Sequence, residues 1–296
     1  MADPRPNAVK VWDGWKLALP PAPANVPAAG RFMPSLPVGH AATEVLYARE
    51  ALIREGSPRD VAEPFSLQWF LDAENARHNR YAKWLPRLLE FGKHAGEQLL
   101  GLGYGLGTDW VQYARHGAEV IACSPSAEHL AVVQQNFDLR GLRGRFIHAA
   151  PTNLPVKTAS IDVACVNNLL HDLAEPRAVV DEIYRVLKPG GKVVALTPSR
   201  FDVEFWARCF FPWRYWRRPR TTLFGPAAIF YTAVRLRRLF GTFVEHRVYK
   251  RHLRRGDVPH LWRLVPLSAL ERILGRVLIL KAFKPLSAAR SLHAAA

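Results

Sequence analysis

Residues 97–110 read EQLLGLGYGLGTDW. An apolar run leads in, glycines stand at Gly101, Gly103, Gly105 and Gly107, and a polar-capped helical pattern leads out. Such a turn between a strand and a helix needs glycine where the backbone is unusual or a ligand comes close. The helix start then offers free N–H groups. In open parallel sheets, ligands sit beyond the C-terminal strand ends, near the first turn of this kind. The spacing narrows the ligand. A dinucleotide loop follows G-x-G-x-x-G, whereas the sixth residue here is Leu106 counted from Gly101 and Thr108 counted from Gly103. The pattern G-x-G-x-G suits a ligand without a pyrophosphate.

The pattern alternates outward from this loop. EQLLGL reads as a strand and 107–116 as a helix; AEVIACS is a second strand. SAEHLAVVQQNFDLRG is a helix closed by Gly141, followed by the strand GRFIHAA. SIDVACVNNLL is almost wholly apolar, as a parallel strand covered on both faces should be. EPRAVVDEIYRVL is a helix stopped by KPGG, and KVVALTPS is a fifth strand. FVEHRVYK (243–250) and RVLILKAFK (276–284) read as two more strands, with a helix in PLSALERILG (266–275) between them. Strands alternating with helices predict a parallel sheet covered on both sides. Upstream, residues 66–91 carry apolar residues at helical spacing until Pro86 interrupts them. Residues 1–63 form a Pro/Ala-rich arm (with Trp12, Trp15 and Phe32) and a short helix over 41–56, leaving 64–296 as the main domain. Residues 201–231 show no firm element.

The segments LLGLGYGLGTD, FIHAAPTNLPVKTASIDVACVNNLLHDL and VLKPGGKVVAL together resemble the class I S-adenosylmethionine-dependent methyltransferases, closely over 97–200 and loosely over 200–285. The resemblance implies an α/β, Rossmann-like, seven-stranded and mostly parallel sheet with helices on both faces, its last two strands an antiparallel hairpin. It implies S-adenosylmethionine as cofactor, with Gly103, Gly105 and Gly107 curling around its methionine part. Asn153, Leu154 and Pro155 match the segment beside the adenine. Asp162 matches an acid of the fourth strand, and Asn167, Asn168, Leu169, Leu170 and His171 match the end of that strand, facing cofactor and substrate. Lys188, Pro189, Gly190 and Gly191 match a structural turn. Tyr104 takes the place of a small loop residue and narrows or covers the pocket.

Three acidic positions of the family pattern are neutral here: Gly101 in the first strand, Ser124 at the end of the second, and Ala150 after the third. The cofactor's ammonium and ribose diol are donors, so they need acceptors. A hydrogen bond to a charged group contributes roughly 1.5–3 kcal/mol. Losing two costs about 3–6 kcal/mol, or roughly a hundred- to ten-thousandfold in affinity. Either backbone groups and substitutes such as Asn153, Asn167 or Asp162 hold the cofactor, or the pocket has lost it and the fold serves another purpose. His171 is the candidate general base, set against a residue that lines the site and holds a loop. Asp109 reads as an acid complementing a helix N-terminus, set against a partner for the cofactor's positive groups.

The net charge is +16, yet residues 1–199 hold 21 Lys/Arg against 20 Asp/Glu, and residues 200–296 hold 20 against 5. The basic part includes FWARCFFPWRYWRRPR (205–220), within a basic, aromatic cover at about 201–265. Aromatics mixed with arginine suit an anionic membrane surface, an acidic protein partner or, less well without an RNA-binding motif, nucleic acid. Three scattered cysteines imply a reducing, cytoplasmic-type compartment, peripheral to a membrane if the cover docks there. The eleven histidines form no metal spacing. The expected function is methyl transfer from S-adenosylmethionine to a small or lipid-like acceptor. The alternative is a catalytically inactive relative that binds partners through its basic third.

Overall fold

The computed structural model describes residues 62–63, 65–167, 169–210, 213, 229–258, 262 and 264–286. The arm and the 41–56 helix lie outside these residues, as do Asn168 and nearly all of 211–228. Contacts divide the chain into Met1–Met33 and Pro34–Ala296, and only the second contains described residues.

Helix α1 (Leu67–Asn75) starts at Ser66, whose hydroxyl accepts the Trp69 N–H at 3.2 Å. It loosens into a π-helical turn, Ala76–Tyr81. The single helix expected up to Pro86 is corrected here: the chain leaves helical geometry at Ala82 (φ −130°, ψ 54°). Pro86 lies inside the first turn of α2 (Leu85–Leu89), where a missing N–H has no helical partner to lose.

The remaining elements follow in chain order. β1 is Gln98–Gly103, α3 Thr108–Arg115, β2 Glu119–Ser124, α4 Ala127–Asp138, β3 Arg145–His148, β4 Ile161–Asn167, α5 Pro176–Val186 and β5 Leu187–Pro198. Then come α6 Val203–Phe210, α7 Ala233–Leu239, β6 Val244–Arg251, α8 Leu267–Leu274 and β7 Val277–Phe283. Helix α6 falls where the sequence showed no firm element. The seven strands form one sheet in the order β3-β2-β1-β4-β5-β7-β6. β1 to β5 pair in parallel, and β7 runs antiparallel to both β5 and β6. The 188–191 turn lies within β5, where pairing jumps from Ile161–Leu187 to Val163–Lys192.

Period-two alternation divides the core between the two faces of the sheet. Leu100, Leu102, Val166 and Ala195 face α5 and α7, meeting Ile183, Leu236 and Phe240. Leu99, Val163, Cys165 and Val194 face α2, α3 and α4, meeting Leu89, Tyr113 and Phe137. Both surfaces of the central strands are therefore apolar, and ligand chemistry is confined to the strand ends.

Candidate functional site

β1 ends at Gly103 beside the end of β4, with Gly103 registered against Asn167. Gly103 has φ 140°, and a Cβ there would lie 1.8 Å from the Asn167 carbonyl oxygen. Only glycine fits this crossing. Tyr104 donates its N–H to the same carbonyl at 3.2 Å. The loop is held from behind by His129 on α4, whose Nε2 lies 2.6 Å from the Gly105 carbonyl and 3.1 Å from its N–H. One nitrogen cannot both donate and accept, and the shorter contact makes the imidazole the donor. Burial lowers the His129 pKa to about 4, so it is neutral at pH 7. Gly107 then leads into α3.

The first turn of α3 carries Asp109, a carboxylate with 1% of its side chain exposed. It accepts from Arg77 Nε at 2.9 Å and Arg77 Nη2 at 2.6 Å, and from Asn167 Nδ2 at 2.6 Å. His78 Nε2 sits 2.9 Å from Oδ1. Burial alone would raise its pKa; the Arg77 guanidinium and the His78 contact outweigh that and hold it well below the usual carboxylate range. The Arg77 fork is a bidentate, charge-assisted pair. Arg77, Tyr104, Thr108, Trp110 and Asn167 line a narrow recess above the loop together with Asp109.

Gly101 lies under the next residue of the helix. A Cβ at Gly101 would fall 2.6 Å from the Trp110 indole. Trp110 therefore fills the space that an acid at position 101 would need, and the carboxylate of this corner comes instead from Asp109 on α3.

The other expected residues divide between the two ends of the sheet. Ser124 is buried and its hydroxyl accepts the Ser126 N–H at 3.1 Å, which closes the turn into α4. Ala150 and Asn153 are exposed, and Ala150 accepts the Asn153 N–H at 3.0 Å. Leu154 is buried, its N–H given to Glu182 and its carbonyl taken by Arg185. Asp162 stands at the opposite end of β4, where it accepts from Lys188 at 2.7 and 2.8 Å and from the Gln98 N–H at 3.0 Å. It is a structural anchor of the 188–191 turn and no substitute ligand. His171 is 2% exposed, with Nε2 3.2 Å from Asp172 Oδ2 and its carbonyl accepting the Ile229 N–H at 2.7 Å. Burial, and then the Asp172 carboxylate, raise the Tyr104 pKa, which places that phenol near the His171–Asp172 pair.

Arg77, His78, Trp110 and His129 were not anticipated from the sequence. The signal for the first two was the ARH triplet at the start of the π-helical turn after α1, hidden because the segment read as one regular helix. The arrangement offers a glycine crossing closed by the Asn167 backbone, a guanidinium held by Asp109 on the lining of the recess, and the backbone of two strand ends. These features fit a small zwitterion laid against the backbone, and so fit the methionine part of S-adenosylmethionine.

A family model described as a methyltransferase domain matches residues 100–195. A demethylmenaquinone methyltransferase of Clavibacter sepedonicus is 41% identical over 34% of this chain and 40% of its own length. One of Paenarthrobacter aurescens is 34% identical over 39% of this chain and 44% of its own, so the chain spans less than half of these two relatives. A ubiquinone biosynthesis O-methyltransferase of Nitrobacter winogradskyi is 27% identical over 49% of this chain and 52% of its own length. Among solved structures, a chain of the Haloferax volcanii complex of the Trm112 activator with a methyltransferase has a TM-score of 0.52 at 17% identity, covering 76% of this chain and all of that one. The [4+2]-cyclase SpnF has a TM-score of 0.51 at 18% identity, covering 84% and 95%. These two show the fold alone. Residues 100–195 are thus similar to a methyltransferase domain, and they lie in a seven-stranded Rossmann-like sheet of the order β3-β2-β1-β4-β5-β7-β6.

Proposed function

We propose that this domain binds S-adenosylmethionine over the Gly103–Gly107 loop and transfers its methyl group to a lipid-like acceptor of the quinone-precursor kind. The observation that carries the reading is the recess over the glycine loop, lined by Arg77, Tyr104, Gly107 and Asn167, with the Arg77 guanidinium held there by Asp109. When bound, the cofactor supplies an electrophilic methyl group on a sulfonium. Arg77, whose Nε and Nη2 Asp109 holds in place, would be the residue to meet the cofactor's carboxylate. The Asn167 carbonyl, which also takes the Tyr104 N–H, would accept from its ammonium in place of the absent strand acid; the Gly105 and Leu106 carbonyls are already engaged by His129 and Asn136. Tyr104 covers the cleft and excludes water, and His171 with Asp172 forms the wall facing the acceptor. Catalysis would come mainly from positioning the acceptor against the cofactor, since positioning alone accounts for several kcal/mol of a barrier. The relatives named for demethylmenaquinone and ubiquinone biosynthesis support the acceptor class.

Calorimetric titration of the full chain with S-adenosylmethionine tests this reading. Saturable heat that is lost in Arg77→Gln is expected, followed by methyl incorporation into demethylmenaquinone. Absence of both heat and thermal shift at millimolar ligand overturns it. That outcome would favour the second reading, an inactive relative, whose supporting observations are the Trp110 ring in the acid's place and an Asp109 already occupied by four donors.

A further inference from the structure

The stretch after β5 leaves the same rim of the sheet as the glycine loop, because Pro198 ends β5 as Gly103 ends β1 and Asn167 ends β4. Helix α6 anchors inward through Val203, which packs with Leu253, Val258, Leu270 and Leu274 of the loop after β6 and of α8. Aromatic rings follow one another from Phe201 along the helix, Phe201 to Phe205 at 5.0 Å, Phe205 to Trp206 at 5.4 Å and Trp206 to Phe210 at 6.1 Å, with Trp206 packed against the Val203 cluster and Phe201 and Phe210 exposed at either end. Phe210 is 63% exposed, Trp213 72% and Ile273 on α8 59%. Lys250 Nζ donates to the carbonyls of both Phe201 and Ile273, so the helix entrance and the end of α8 lie side by side. Large apolar side chains exposed together mark an interaction surface.

Charge selects the partner. Of the five acids in residues 200–296, four are paired with arginine: Glu204 with Arg208, Glu245 with Arg247, Asp257 with Arg276 and Glu271 with Arg251. Exposed Arg200 and Arg272 flank Phe201 and Ile273. An acidic surface is therefore complementary, and aromatic rings beside arginines fit the headgroup depth of a bilayer, where rings insert and cations meet phosphate.

We propose that the surface formed by Phe201, Phe210, Trp213 and Ile273, with Arg200 and Arg272, docks onto an anionic lipid bilayer and brings the rim of the sheet to the membrane. Its purpose rests on the lipid-like acceptor proposed above; its physics does not. The test is sedimentation of the full chain with vesicles of phosphatidylcholine containing phosphatidylglycerol, and with phosphatidylcholine alone, at low and high salt. Binding to the anionic vesicles is expected, weakened by salt. Arg200→Gln with Arg272→Gln should lower partitioning roughly tenfold or more, since each basic residue near such a surface contributes about 1 kcal/mol. Phe210→Ser with Trp213→Ser should remove the binding that survives high salt. All four side chains are exposed or at an exposed end, so an unchanged thermal melt verifies each variant.

No sedimentation, or equal sedimentation with neutral vesicles, overturns the proposal. So does displacement by RNA with Phe210→Ser and Trp213→Ser without effect, which would make the surface a nucleic-acid site. A dimer in velocity sedimentation that the same two substitutions dissolve would assign it to a second copy and equally overturn it. Cofactor calorimetry on the same samples is independent: vesicle binding without cofactor heat sinks the methyltransferase reading alone, and the reverse sinks only this one.

Discussion

Asp109 and Glu90 are carboxylates at opposite rims of one sheet, each held well below the usual range by cations that outweigh burial. Glu90, at the end of α2, accepts from Lys93 at 3.0 Å, Lys192 at 3.0 Å and Lys281 at 2.9 Å. Lys192 also donates to His94 Nε2 at 2.8 Å, and His94 in turn meets Glu97 at 2.6 Å. The two networks are alike in electrostatics and different in what they face. Lys192 and Lys281 are side chains of the sheet itself that would otherwise be buried uncompensated. Arg77 lines a recess beyond the strand ends. A strongly shifted carboxylate therefore marks function only where its cation faces a ligand cleft; elsewhere it is a structural ion network.

The largest expected effect separates them. Asp109→Asn should cost about 3–5 kcal/mol of stability, the usual cost of breaking a buried pair, and should abolish cofactor heat measured below its melting point. Retained heat would make Asp109 as purely structural as Glu90. Glu90→Gln should cost about 3 kcal/mol in denaturant melts by the same reasoning, with cofactor affinity unchanged within roughly twofold; a larger loss of affinity would erase the contrast.

Acid should act on the glycine loop's support at His129 and, in parallel, on His252, which burial also lowers to about 4. His129 titrates at about 4 in the folded chain against 6.5 ordinarily, so between those values the unfolded chain binds more protons. Its contribution is fully present above about pH 6.5 and is lost as the pH falls through 4, about 3 kcal/mol in all. The slope of stability against pH should become shallower over that window in His129→Gln, with the remainder left to His252, and an unchanged slope would remove His129 as a cause.

Smaller effects probe the corner of the missing acid. Gly101→Ala drives a methyl into the Trp110 ring and should cost about 2 kcal/mol. Trp110→Leu should suppress part of that cost in a double-mutant cycle, and strict additivity would show that the ring does not occupy the space. Ser124→Ala removes one turn-closing acceptor and should cost about 1 kcal/mol or less in melts; a loss of cofactor heat out of proportion to it would make the hydroxyl a ligand contact.

The sheet was legible because its signals are local. Apolar runs such as those of β1 and β4, and the glycines between β1 and α3, report their environment within a few residues. The site was legible only in its backbone part. Gly101 reads as a lost acid until Trp110 is seen above it, and a contact across the turn from strand to helix has no periodic signature. Arg77 and His78 reach Asp109, 32 and 31 residues away, because α1 opens into a π-helical turn there, a distortion that recurs at functional sites. Asp162 misled for another reason: the resemblance supplies an acid in the fourth strand, but as the second residue of β4 it lies at the rim away from the glycine loop.

β7 lies between β5 and β6 and is the last strand of the sheet in the chain. During synthesis, the edge of β5 therefore waits, unpaired and apolar, until residue 283 has left the ribosome. Growth of the nascent chain cannot complete this sheet strand by strand; closure comes late, as one event. A translational pause ahead of Val277 would lengthen the interval in which that open edge can recruit a chaperone or aggregate.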